Sequence, residues 1–370
     1  MTLSVTVSER DGTGNYPLES IASVSGIRYA STWPGGCTTF SCGLSLGPRD
    51  TPAGGLLGKL LVVKLAGASV WSGTLDDPQR GVGWQINATG TASEAASTQS
   101  LDGSGLPTFS VNTAATQGIS RGALPWVGID SLAPADPTSG TPMVGQTIAD
   151  VLNLGTASTG KRWGVFADRL LTGYVDPTGV PDYLVLTGSS PGGRSLDYLA
   201  THIYAFYIDN AASIAAGRDT LASVVAAVPT TFPARFGRIE RTIDISDLGR
   251  LTSAQAGVYA SAVAANVQPR ASFSGSITIP QGQVLAPNGL PLNNATLRAG
   301  KVIRFIGQQP DPNSGEAGKT HAIDLLLAGV EYDDASQTVT LSPMGTVQRD
   351  LASTIALALA PVTAPEVVTL

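Results

Sequence analysis

The chain has 370 residues, among them 43 glycines and 24 prolines, while charged residues make up only 14%. Turns are therefore frequent and charged helical faces scarce, which excludes a helical bundle, and a hydrophobic share of 42% excludes disorder for most of the chain. A formal net charge of −6, with cationic groupings no larger than pairs such as Lys161-Arg162, gives no footprint for reading nucleic acid.

The start, Met1 to Glu9, lacks the basic residues and continuous apolar run of a signal peptide, and no run approaches bilayer length. Synthesis in the cytoplasm without stable membrane insertion is the expectation. Further along, residues 39–46 alternate strictly, with Phe40, Cys42, Leu44 and Leu46 on one face and Thr39, Ser41 and Ser45 on the other. The cysteines are Cys37 and Cys42. Five positions along an extended strand place them on opposite faces, so a disulfide between them is not expected and Cys42 reads as a buried thiol.

Residues 57–65 read as a more completely buried strand. The alternation then returns at 70–75 and at 83–90, where Trp84, Ile86 and Ala88 oppose Gln85, Asn87 and Thr89. The first 95 or so residues thus read as a small antiparallel barrel or sandwich, with Trp33, Trp71 and Trp84 as core; Trp33, before Pro34-Gly-Gly36, has exposure as its alternative.

The middle changes character. Residues 145–153 read as a short helix capped by Thr147 and 251–265 as a longer, Ala-rich one, with strands at 162–166, 182–186 and 203–208 around them. Residues 272–279, 301–306, 321–332 and 337–341 then supply a second β module, its last two strands joined by the turn 332–337. The tail begins as a potential helix and ends in Pro361 and Pro365, a segment suited to ordering against a partner.

Two motifs invite an enzyme reading and fail it. Gly188-Ser-Ser-Pro-Gly192 has nucleophile-elbow spacing around Ser190, but Pro191 lacks the backbone N–H that an oxyanion hole needs there. The segment from Asn313 to Thr320 carries the Gly-Lys-Thr ending of a phosphate loop through Lys319, yet Asn313 stands where its first glycine belongs. His202 and His321 are far apart and read as satisfied strand residues, and no metal-ligand cluster is present. Asp76-Asp77 and Asp333-Asp334 sit beside turns, where carboxylates cap backbone N–H groups and calcium is the alternative. The sequons at Asn87 and Asn294 read as chance without a secretion signal.

Three stretches carry a resemblance. The first is Val70-Trp-Ser-Gly-Thr-Leu75 followed by Trp84-Gln-Ile-Asn-Ala-Thr-Gly90. The second is Arg235-Phe-Gly followed by an extended segment and the helix from Leu251. The third runs from Leu297 through Phe305, Gly329-Val-Glu-Tyr-Asp333 and Thr338-Val-Thr-Leu-Ser-Pro343. Taken in order, they resemble the hub-type minor tail proteins at the tail tip of long-tailed bacteriophages, the group related to baseplate hubs.

The resemblance implies a mainly β chain with an α+β middle: one β-barrel module at 1–95, an α+β region at 96–266, a second barrel module at 267–348 and a C-terminal tail at 349–370. It also implies a structural virion protein, not an enzyme, with no catalytic, cofactor-binding or metal residues and no cofactor. Such a protein forms a homotrimeric ring whose two barrels per copy make a sixfold face. Its implied partners are the distal tail protein, the tape-measure protein and other tail-tip proteins, with DNA only in passage through the central channel. A sixfold distal tail ring protein and a carbohydrate-binding β protein are the competing expectations.

Overall fold

The computed structural model describes residues 3–20, 22–45, 55–76, 79–80, 83–131, 136–137, 142, 144–159, 161–174, 180–186, 192–193, 200–227, 238–266, 272–273, 276–308 and 321–343. In the first β module, β1 (Leu3–Ser8), β2 (Tyr16–Pro17), β3 (Ser23–Thr32), β4 (Gly35–Ser45), β5 (Leu60–Leu65), β6 (Ala68–Leu75), β7 (Gln79–Arg80) and β8 (Trp84–Gly90) form antiparallel ladders. Their order is β2-β1-β5-β6-β8-β4-β3, with β7 folded back on the start of β8. The β5–β6 hairpin turns on Ala66 and Gly67, both at positive φ, as a two-residue loop between right-twisted strands requires.

Alternation buries one face of these strands. Trp71 is wholly enclosed, its ring 5.3 Å from that of Phe40 and its indole N–H donating to the Ala30 carbonyl at 3.1 Å. Ile86 and Ala88 join the same core, and Trp84 packs half-buried at its margin. The glycines of the two Trp-bearing patterns have a steric role. Gly73 pairs with Gly90, and a Cβ on Gly90 would lie 1.7 Å from the Cys37 carbonyl oxygen.

The middle segment extends this sheet. Helix α1 (Val111–Ser120) starts at Ser110, whose side chain accepts from the Thr113 N–H; then come β9 (Gly128–Ile129) and α2 (Ile148–Thr159). Thr147 and Asp150 cap α2 reciprocally: the Thr147 hydroxyl accepts from the Asp150 N–H at 3.2 Å and the Asp150 carboxylate from the Thr147 N–H at 2.8 Å. Next, β10 (Arg162–Val165) and β11 (Leu170–Tyr174) pair antiparallel, β11 takes β9 beside it, and β10 lies parallel to β4 at Gly35 and Gly36. The helices and strands share a core of Val111, Ala115, Trp126, Ile148, Val151, Trp163 and Leu171.

After β12 (Tyr183–Leu186) and β13 (Gly192–Gly193), a separate sheet follows: β14 (His202–Asp209), α3 (Asn210–Ala216), β15 (Leu221–Ala227), β16 (Glu240–Asp244), β17 (Arg250–Leu251) and α4 (Ser253–Asn266). Then come β18 (Ser272–Phe273), paired with β13, and β19 (Ile277–Pro280), β20 (Val284–Leu285), β21 (Val302–Gln308), β22 (His321–Asp333) and β23 (Thr338–Pro343). In this second module β19 pairs β23, β23 pairs β22, β22 pairs β21, and β21 pairs β12, which also takes β20.

The class expected from the sequence, mainly β with an α+β middle, is the one observed. The sheets, however, are not closed into barrels. In the first module the reason is the use made of β3, whose free side is taken by β22 from Gly329↔Thr32 to Asp333↔Arg28, so it is not available to pair β1. One ladder thereby links both modules.

A second correction concerns Cys37 and Cys42. Tyr29 opposes Phe40 while Ser31 opposes Cys37, so β4 carries one extra residue between those pairs. That bulge resets the alternation and turns Cys37, Phe40 and Cys42 all into one core, where both thiols are free.

Two substitutions test this packing. Trp71→Ala is expected to cost about 3–5 kcal/mol in chemical denaturation, as truncation of a buried Trp does. Gly36→Ala is expected to lower the melting temperature, because Gly36 sits at φ 105° and a Cβ there would lie 1.9 Å from the Val165 carbonyl oxygen. An unchanged melting curve for either would contradict these contacts.

Candidate assembly surface

The sheet around β14 is built to cover one face and leave the other open. Along β14, Ile203, Ala205 and Tyr207 point toward α4, where they meet Ala256, Tyr259, Ala260 and Ala264 together with Ile243, Ile245 and Leu251. Helix α4 begins with a reciprocal cap, Thr252 accepting from the Gln255 N–H at 3.3 Å and Gln255 from the Thr252 N–H at 2.9 Å, and its small residues allow close approach to the sheet. Strand period then dictates that His202, Tyr204, Phe206 and Ile208 lie on the opposite face.

Register completes that face. Tyr204 stands beside Val225 and Thr242, Phe206 beside Ser223 and Asp244, and Ile208 beside Leu221 and Arg250. Leu221 is 62% exposed and Val225 49%, so an apolar stripe faces outward. Ion pairs border it: Arg238 donates to Glu240 at 2.5 Å and to the Tyr204 hydroxyl at 2.6 Å, and Arg250 meets Asp219 at 2.9 Å. The Arg238 hydrogen bond holds the Glu240 carboxyl below its ordinary range. Beyond the stripe, β15 pairs only with β14 and forms an edge of its sheet among the described residues.

The residues singled out in the sequence do not assemble into a reactive site. Ser190, Pro191, Asn313, Lys319 and Asp77 lie outside the described residues. His202 is on β14, its ring nitrogen 2.9 Å from the Thr201 hydroxyl, whereas His321 opens β22 in the other sheet. Asp76 accepts from the Thr89 hydroxyl at 3.1 Å, Asp333 accepts from the Ala335 N–H and pairs with Arg28 at 2.9 Å, and Asp334 accepts from Tyr332 and Gln337. These acids are engaged in turn and strand contacts. Among the described residues no cluster of His, Cys, Asp and Glu could hold a metal ion, and no helix is long and apolar enough to cross a membrane.

Asn87 lies half-buried on β8 opposite Ser41, and Asn294 is fully buried, donating to the Ile279 carbonyl at 3.1 Å. Trp33 is buried too, stacked on Phe166 at 6.1 Å. Burial pushes the Cys37 and Cys42 thiols each up to about 12. Sequence reasoning missed β15, the element that matters most to the open face. In Leu-Ala-Ser-Val-Val-Ala-Ala neither face carries charge, so alternation leaves no contrast to detect.

No protein-family model matches the chain, and no curated protein matches it. Among solved structures, it is similar to the prophage MuSo2 43 kDa tail protein from Shewanella oneidensis, with a TM-score of 0.59 and 13% identity over 92% of this chain and 98% of that one. The tail protein from Neisseria meningitidis MC58 gives 0.59 and 13% over 95% and 98%. Prophage tail protein gp18 from Listeria monocytogenes EGD-e gives 0.57 and 9% over 98% and 100%. The chain shares the fold of these tail proteins. The likeness covers 92–98% of this chain.

The buried thiols carry a prediction. Unfolding returns them toward an ordinary value of 9.0, so above that pH the unfolded chain loses protons first. The stability contribution is fully present below pH 9 and is lost as pH rises toward about 12. Denaturation midpoints should therefore fall between pH 9 and 10, and fall less in a Cys37→Ala, Cys42→Ala chain. Equal slopes in both would contradict the burial.

Proposed function

We infer that this chain is a structural, non-enzymatic component of a phage tail, and within the tail the hub ring of the tip. The observation that carries the reading is the end-to-end fold likeness to prophage tail proteins. The chemistry of the chain supports it. The acids and histidines described above serve turns and strands, while a sheet face with an apolar stripe bordered by ion pairs, and an edge unpaired among the described residues, remain for a neighbour.

On this reading three copies close into a ring, and the two β modules of each present six similar faces to the sixfold tube above. The ring receives the distal tail protein and the tape-measure protein, carries receptor-binding or central-fibre components below, and surrounds the channel through which DNA leaves. A net charge of −6 suits such a channel, because clustered lysine and arginine would hold the passing phosphates.

Cryo-microscopy of isolated tails tests the assignment. Three copies at the tip, around an open axis, are the expected result. Six copies would transfer the assignment to a distal ring protein, and absence from purified virions would overturn both.

A further inference from the structure

Of the asparagines in the sequence, Asn288 alone is followed by glycine. It lies at the tip of an exposed turn after β20, with Pro287 before it and Gly289, at φ 80°, behind it. Two backbone bonds hold the turn, from the Gly289 N–H to the Ala286 carbonyl and from the Ala286 N–H to the Leu290 carbonyl, each at 2.8 Å. Within it the Asn288 side-chain oxygen accepts from the Leu290 N–H at 3.1 Å. A side chain bonded to the backbone two residues on is drawn over the peptide between them, so the Asn288 carboxamide carbon lies over the Gly289 nitrogen.

Other asparagines lack one part or another of this arrangement. Asn293 makes the same kind of bond, its side-chain oxygen accepting from the Ala295 N–H at 3.0 Å, but the residue after it is Asn294, whose side chain is fully buried and donates to the Ile279 carbonyl. Asn153 accepts from the Trp163 indole N–H, and Asn87 is paired on β8. Asn15 is exposed but precedes Tyr16. Gly289, by contrast, has no Cβ to shield its nitrogen, and a Cβ at that position would meet nothing within 4 Å.

We propose that Asn288 is a site of spontaneous deamidation in the folded chain. The Gly289 nitrogen attacks the Asn288 carboxamide carbon and forms a new N–C bond. Its amide proton passes through solvent to the departing side-chain nitrogen, and ammonia leaves a succinimide. The Leu290 N–H is placed to stabilise the oxygen on which negative charge gathers during the attack. The bond from Gly289 to Ala286 must open first, and as a single hydrogen bond at a loop tip it opens at little cost. Water then adds to either carbonyl of the succinimide, giving aspartate from attack on the side-chain carbonyl and isoaspartate from attack on the main-chain carbonyl. Both products add a negative charge, and isoaspartate adds a methylene to the backbone of the turn. That turn leads into Leu292, packed against the core of the second module, and on to Ala295, whose carbonyl accepts from the Tyr29 hydroxyl.

The full-length folded chain is held at mildly alkaline pH beside the same chain in guanidinium. Both are then digested at acidic pH and read by mass spectrometry, with fragmentation that separates isoaspartate from aspartate. The expected result in the folded chain is amide loss at Asn288 about ten times faster, or more, than at Asn15 or Asn293, with isoaspartate among the products. Gly289→Asn keeps a residue type that accepts positive φ yet adds a side chain beside the nitrogen, and is expected to slow the loss about tenfold. Its melting temperature confirms that the variant is folded. Loss at Asn288 in guanidinium but not in the folded chain overturns the proposal, because the turn then protects the residue. Equal loss at Asn15 or Asn293, aspartate without isoaspartate, or an unchanged rate in folded Gly289→Asn overturns it as well.

Discussion

The ladder between β3 and β22 holds the two ends of the chain in one structure. Five residue pairs, Gly329↔Thr32 to Asp333↔Arg28, fuse the two β modules. Side chains reinforce it: Tyr29 and Tyr332 are direct partners with rings 5.3 Å apart, the Tyr29 hydroxyl donates to the Ala295 carbonyl at 2.5 Å, and Arg28 pairs with Asp333. Both phenol groups are held well above their ordinary pKa, chiefly by burial, which ties their chemistry to an intact junction. The middle segment joins through Phe166, which stacks on Trp33 and lies 4.8 Å below the Arg298 guanidinium, so one ring takes contacts from both modules.

This junction joins the two modules in one sheet, while the β14 strands form another. The fused modules bury their apolar residues inward, and side chains meet the Val5 N–H and the Ile279 carbonyl, through Glu19 and Asn294. The β14 sheet buries one face under α4 and leaves the other, with its β15 edge, facing outward. An outward face can serve a neighbour only if it is apolar enough to bind yet small enough to remain soluble in the free chain.

Much of this was legible in the sequence wherever one strand face is dry and the other wet. Strands β4, β6, β8, β22 and β23 follow from alternation, the turn between the last two from its acids, and the helix after Thr147 from its cap. What escaped had a physical cause each time. The bulge in β4 cannot be seen in a two-residue period, so Cys37 and Cys42 were placed on opposite faces. The openness of the sheets depends on β3 pairing with a strand from the far end of the chain, which no local signal carries. Strand β15 and helix α3 consist of small, uncharged residues whose faces differ too little to register. As for the candidate surface, the notable letters Ser190, Lys319, His202 and His321 drew attention away from an edge whose defining property is the lack of any such letter.

The β3–β22 ladder also sets a timetable for synthesis. Its partners Tyr29 and Tyr332 are roughly 300 residues apart, and at about 5–20 residues per second a ribosome needs on the order of 15–60 s to make the stretch between them. Throughout that interval the side of β3 destined for β22 waits without its partner, while β4 already holds the other. A growing chain therefore carries an open template for longer than most of its neighbouring strands do, and crowded translation of many copies would favour pairing between chains. The same long-range contact that unifies the finished molecule leaves one side of β3 without its partner until the chain has reached β22.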